Sequence, residues 1–447
     1  MKLISSVTVL ALISISVSSS PTAASALDMA HNVHHVRKPQ AHIVEPRHSA
    51  SHATAGHTAV AGHAPSRAGS PAAHAVARAV PHTAAGRARI RQANLSAHAH
   101  HYYERFTASS FLTTAQGEGD IIAGEDPTIR AAAIDALGNM NGTAVVINPA
   151  NGRILAMVNQ KMALSPGAEP CSTIKLSVGL AALSEGLVTR DTPVNLGGFR
   201  MNLTEALAHS NNLYFEEMGR ELGFERVRHY ATQFGLGELA GYNIDGEQLG
   251  TYPEQELPAS EGGVGRMCSF GQGVSMTPLQ LGAMVAAIAN GGTLYYLQHP
   301  TTPEEVASFE PHVKRTLDIA RYIPDMQDGM AGAVEYGTAR RLRVNFHELP
   351  VFGKTGTCSN NGTRFGWFAS YSDSPMGSLV TVFFLEGGRP VFGPRAAELT
   401  GLFYRSLWDR KYFDGNPQPV QASNQPEPGS ASGSLLATAT SSTLSNK

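Results

Sequence analysis

The sequence predicts an α+β fold carried by one folded body, and three observations predict it. β-Rich runs stand at both ends of residues 102–412, helical patterns fill the middle, and the flanking segments lack the large apolar residues that a core requires. A length of 447 residues alone would allow two or three domains, but composition confines folding to this one stretch.

The opening "MKLISSVTVLALISISVSSSPTAASALD" runs from a basic residue through an apolar stretch to Ala24-Ser25-Ala26, which fits an A-x-A cleavage site. Residues 1–26 are expected to be a signal peptide. The run from Leu3 is serine-laced and short for a bilayer span, so an uncleaved membrane anchor is the alternative. Residues 27–101 hold 13 of the 18 histidines and eight Lys/Arg against two Asp/Glu, with few large apolar side chains. A segment of that kind cannot bury enough surface to offset chain entropy, and a disordered basic stalk is expected. Residues 413–447, rich in Pro, Gln and Ser, are expected to form a disordered tail. The chain is therefore read as exported, to the periplasm or cell envelope, where possible partners include envelope proteins.

Within the body, "DPTIRAAAIDALG" offers Asp126 as a cap, Pro127 at the first helical position and Gly138 as a stop. "GTAVVINPANGRILAMVNQ" places two β-rich runs around a turn signal and reads as a hairpin. A helix from Ser172 to about Gly186 follows, then "NLTEALAHSNNLYFEEMGREL", a helix interrupted at "SNN". "TPLQLGAMVAAIANGG" reads as a buried helix stopped by a glycine pair. "VFGKTGTC", "RFGWFASYS" and "SLVTVFFLEGG" read as three successive strands, and a final helix spans about 394–409.

The formal net charge of −2 and the absence of a basic-aromatic pattern argue against nucleic acid as a partner. No C-x-x-C pair, Walker loop, dinucleotide fingerprint or H-E-x-x-H motif occurs, so neither cofactor nor metal is expected. Ser172 and Lys175 lie one helical turn apart on one face. A serine hydroxyl needs a base within reach, and a lysine serves when burial or a neighbouring cation lowers its pKa. The chain has 26 Arg and only eight Lys, and Lys175 alone follows a serine by three residues. Ser210-Asn211-Asn212 supplies a proton-relaying hydroxyl and an amide for a peptide, though a helix cap would use the same residues. Lys354-Thr355-Gly356-Thr357 supplies a cation and two hydroxyls for a carboxylate, with Gly356 leaving room for a ligand beside the strand.

The order S-x-x-K, S-x-N, K-T-G is specific. With "AVVINPANGRILAMVN", "FGLGELAGYNIDGEQLGTYP", "SFGQGVSMTPLQLGAMVAAIANGG" and "VEYGTA", it resembles the transpeptidase domain of penicillin-binding proteins over about 125–410. The resemblance implies a single catalytic domain at 102–412, an antiparallel sheet flanked by helices plus a helical lobe. It implies a serine D,D-transpeptidase acting on the D-Ala-D-Ala stem peptides of peptidoglycan, with β-lactams as covalent inhibitors. Ser172 would attack, Lys175 would accept its proton, and Ser210, tuned by Lys354, would pass a proton to the leaving D-Ala. Asn212 would bind the substrate amide, Thr355 and Thr357 the carboxylate, and the N–H groups of Ser172 and Thr357 the oxyanion.

Water in place of an acceptor amine would make a D,D-carboxypeptidase, and fast hydrolysis of β-lactam adducts a serine β-lactamase. For the latter Glu247, 35 residues after Asn212, stands at a suggestive distance, but the E-x-x-L-N signature of class A enzymes is missing. The neighbours of the two oxyanion residues, Cys171 and Cys358, would also lie close in space. The resemblance thus implies a Cys171–Cys358 disulfide, similar to the bridge of class A carbapenemases, with Cys268 left as a buried thiol.

Overall fold

A computed structural model describes residues 109–415. The expected signal peptide and stalk, and the tail beyond Gly415, lie outside the described residues.

Helix α1 (Pro127–Leu137) starts as its sequence dictates: the Asp126 carboxylate accepts from Thr128 and Ile129 N–H, and Pro127 opens the first turn. Strands β1 (Gly142–Asn148) and β2 (Arg153–Val158) form the expected hairpin. A 3-10 turn, Cys171–Ile174, runs directly into α2 (Lys175–Ser184). The interrupted helix is two helices, α3 (Leu203–Ala208) and α4 (Asn212–Leu222), followed by α5 (Phe224–Gln233) and α6 (Gly263–Phe270). Then come α7 (Pro278–Ala289), α8 (Ile323–Glu335), strands β3 (Val351–Asn360), β4 (Thr363–Ser374) and β5 (Gly377–Gly387), and helix α9 (Gly393–Asp409).

The five strands form one antiparallel sheet in the order β2-β1-β5-β4-β3. Side-chain alternation sends Val145, Ile147, Trp367, Ala369, Val382 and Phe384 to a core shared with α2, α4 and α7. Ala144, Val146, Phe368, Phe383 and Leu385 go to a second core beneath α1 and α9. The fold is the expected α+β sandwich with a helical lobe (α2–α6) on one side. Body residues continue three past the expected boundary, because Phe413 is buried with its ring near Trp408 and Tyr412. No helix among the described residues is long and apolar enough to cross a membrane.

Candidate active site

The turn carrying Ser172 is fixed from several sides. Thr173 Oγ1 donates to Pro170 O at 2.7 Å, and Trp367 Nε1 on β4 donates to Glu169 O at 3.0 Å. Cys171 is disulfide-bonded to Cys358 on β3, with their Cα atoms 5.6 Å apart, and Cys268 is a buried free thiol. Cys171 holds φ at +52°, a left-handed conformation that costs a non-glycine residue about 1–2 kcal/mol. Gly356 has a different use from the one its sequence suggests. A Cβ there would stand 2.8 Å from Pro170 O, 3.1 Å from Trp367 Cβ and 3.2 Å from Thr173 Cγ2. The space is taken by the serine-bearing turn rather than left for a ligand, so the glycine lets β3 and that turn meet.

Three segments bring the predicted polar residues together. Lys175 Nζ lies 3.0 Å from Ser172 Oγ, 2.8 Å from Ser210 O, 3.1 Å from Ser210 Oγ and 2.6 Å from Asn212 Oδ1. Lys354 Nζ reaches Ser210 Oγ at 2.8 Å and Thr355 O at 3.1 Å. Both lysines are fully buried. Burial holds the Lys175 amine well below its ordinary value, the Lys354 charge adds to this, and Glu216 opposes it. Burial alone brings Lys354 down to about 7. A neutral Lys175 has two protons and one lone pair. It can donate to Ser210 O and Asn212 Oδ1 while its lone pair accepts the Ser172 proton, which is the geometry of a general base.

Ser210 sits in the break between α3 and α4 with φ at +55°. Asn211 is the helix cap, its Oδ1 accepting from Tyr214 N–H at 3.0 Å, so one residue of this triplet builds the helix and its neighbours face the lysines. Along β3, Thr355 is buried and Thr357 exposed. Thr355 Oγ1 bonds Thr338 Oγ1 at 2.7 Å, and Thr357 Oγ1 accepts from Gly393 N–H at 2.8 Å. Glu247 is not part of this cluster. Its carboxylate accepts from Ala240 N–H at 2.9 Å and Gly241 N–H at 3.0 and 3.1 Å, closing its own loop. Among the described residues, no carboxylate hydrogen-bonds Ser172 or Lys175.

Sequence reading assigned no site role to Trp367, Thr338 or the segment before α7. In "GQGVSMTPLQ", Thr277 and Gln280 form a reciprocal capping box with Pro278 opening the helix. Gly271 lets the preceding loop close on Pro170, where a Cβ would lie 2.4 Å from the proline ring, an overlap no side chain could make. The only sequence signal for these supports was the quoted motifs, because the neighbours that define their roles are distant along the chain.

The penicillin-binding protein transpeptidase domain model matches residues 142–389, more than half of the chain. Stage V sporulation protein D of Bacillus subtilis is 29% identical over 315 residues, covering 59% of this chain and 48% of that protein. The peptidoglycan D,D-transpeptidase FtsI of Escherichia coli K12 is 24% identical, covering 58% of this chain and 49% of its own length. The chain spans about half the length of these curated relatives. A solved structure of Pseudomonas aeruginosa PBP2 in complex with WCK 5153 superposes with a TM-score of 0.54 at 22% identity, covering 65% of this chain and 75% of that one. A structure described as a peptidoglycan glycosyltransferase from Burkholderia ambifaria gives a TM-score of 0.55 at 19% identity, covering 66% and 98%. These two likenesses establish the fold.

Proposed function

Because the chain belongs to the penicillin-binding protein transpeptidase family, we propose that it is a serine D,D-transpeptidase that cross-links peptidoglycan stem peptides through an acyl-enzyme. The observation that carries this reading is the 3.0 Å approach of the buried Lys175 amine to Ser172 Oγ, with Ser210 bridging to Lys354.

Lys175, neutral at the outset, takes the Ser172 proton as Oγ attacks the carbonyl of the penultimate D-Ala. The resulting oxyanion is held by the N–H groups of Ser172 and Thr357. When the C–N bond breaks, the leaving D-Ala nitrogen takes the Ser210 hydroxyl proton, and the lysine pair replaces it. The substrate amide meets Asn212, whose Nδ2 is left for it by the Oδ1 bond to Lys175. The terminal carboxylate meets Thr355 and Thr357. An acceptor amine then attacks the ester, gives its proton to Lys175, and Ser172 leaves with its own proton restored. Water in the acceptor's place yields the carboxypeptidase product.

The β-lactamase alternative requires a base for fast deacylation, and the confinement of Glu247 to its own loop speaks against it. Fluorescent penicillin should label the native chain and not S172A, and the adduct should persist for minutes to hours. Absence of native labelling would overturn the acyl-enzyme reading, and sub-second turnover would replace it with a β-lactamase. A stem pentapeptide with and without an acceptor amine separates cross-linking from trimming by its products. Export through residues 1–26 belongs to the same proposal, and N-terminal sequencing of the mature protein tests it.

A further inference from the structure

We infer that Thr338 and the backbone N–H of Gly393 are positioning groups that aim the Thr355 and Thr357 hydroxyl protons at the substrate carboxylate. This deepens the reading above and rests on it. A carboxylate only accepts hydrogen bonds, and each hydroxyl has one proton to give. A second donor on the threonine oxygen favours the rotamer that keeps this proton for the anion.

The structure supplies such a donor behind Thr357 and, behind Thr355, a hydroxyl that becomes one if the bond between the two reverses. Gly393 N–H donates to Thr357 Oγ1 at 2.8 Å, leaving the Thr357 proton to point outward. Thr355 Oγ1 and Thr338 Oγ1 are 2.7 Å apart, with Thr355 as the donor of the pair. In that sense Thr355 has nothing to give an anion. Hydroxyl rotors reverse readily, and with Thr338 donating at the same distance the Thr355 proton turns to the carboxylate. The bond between two charge-polarised hydroxyls is thereby strengthened as the anion arrives.

Both donors are held by close backbone approaches that only glycine permits. A Cβ on Gly337 would fall 2.1 Å from Ala208 O, so Thr338 N–H can donate to that same carbonyl at 3.1 Å. A Cβ on Gly393 would fall 2.7 Å from Gly356 O and 2.9 Å from Thr355 Cβ. Neither residue lies in the serine–lysine cluster, so the pair bears on recognition of the acid group rather than on proton transfer.

The test compares acylation of the full chain by benzylpenicillin and by its carboxylate methyl ester, read by competition with fluorescent penicillin. The native chain should prefer the acid. T338V, which keeps shape and removes the hydroxyl, should lower that acid-to-ester preference about tenfold, as expected for losing one bond that supports a charged acceptor. The loss should appear in the binding constant rather than in the limiting acylation rate, and T338S should restore it. Should T338V fail to melt cooperatively, T338A against T338S carries the same comparison. An unchanged preference in a folded, acylating variant that lacks the hydroxyl would overturn the inference. A native chain that takes neither compound would instead overturn the acyl-enzyme reading itself.

Discussion

Lys354, which the proposed mechanism uses to tune Ser210, destabilises the fold. Its amine titrates near 7 in the folded chain against an ordinary value of 10.5. Between those values the unfolded chain binds a proton that the folded chain does not. The folding penalty is therefore absent above about 10.5, grows as pH falls, and is complete below about 7. K354M replaces the buried amine with an apolar side chain of similar length. It should raise unfolding free energy by about 1–2 kcal/mol at pH 6, with the gain shrinking at pH 10, while abolishing penicillin acylation. Thermal melts at the two pH values check this, and destabilisation at pH 6 would refute it. Ser172, Lys175, Ser210 and Lys354 were legible in the sequence because their chemistry announces itself in residue type and spacing. Gly356 and Thr338 were not, because what a glycine admits or a hydroxyl bonds is set by neighbours from other segments.

At the scale of elements, the serine-bearing turn is held in a conformation its sequence resists. Cys171 at φ +52° is flanked by Pro170 on one side and the disulfide on the other. The bond closes a loop of 187 residues, yet its local effect is separable from loop closure. C171A/C358S and C171G/C358S both lack the bond, but only glycine adopts the left-handed turn without steric cost. The glycine pair should be more stable than the alanine pair by about 1 kcal/mol and should acylate faster. Equal stability and rates, by melting and penicillin labelling, would show that the turn does not keep its left-handed conformation once the bond is gone. Most elements were legible: the hairpin from its turn signal, the three final strands from their β-rich runs, α1 from its caps. Residues 235–257 were harder, because Glu247 closes that loop through backbone N–H groups seven and six residues earlier, a pairing no periodicity reveals.

For the whole molecule, the proposed catalytic groups come from segments spread between Ser172 and Thr357, and their relative positions depend on both faces of the sheet being covered. The matched family region, 142–389, excludes α1 and α9, which supply much of the cover of one face. It also excludes a buried polar network on the N-terminal side. Arg130 bonds Asp120 and Glu125, each at 2.8 Å, while Glu125 accepts from Met157 N–H at 3.0 Å and contacts His299 Nε2 at 3.0 Å. Asp120 accepts from Asn159 and Gln160 N–H, both at 2.9 Å, fixing the exit of β2. Removing Asp120 and Glu125 would strand these buried donors, a loss of about 1–3 kcal/mol for each group left unpaired. A fragment of 102–415 should therefore fold cooperatively and bind fluorescent penicillin at the full-chain rate. A fragment of 142–389 should be insoluble or unfolded, since Phe368, Phe383 and Leu385 would face water. Circular dichroism and labelling of the two fragments check this. A folded, penicillin-labelled 142–389 fragment would show that one core suffices to align Ser172, Lys175, Ser210 and Lys354, and that α1 and α9 serve something other than the site.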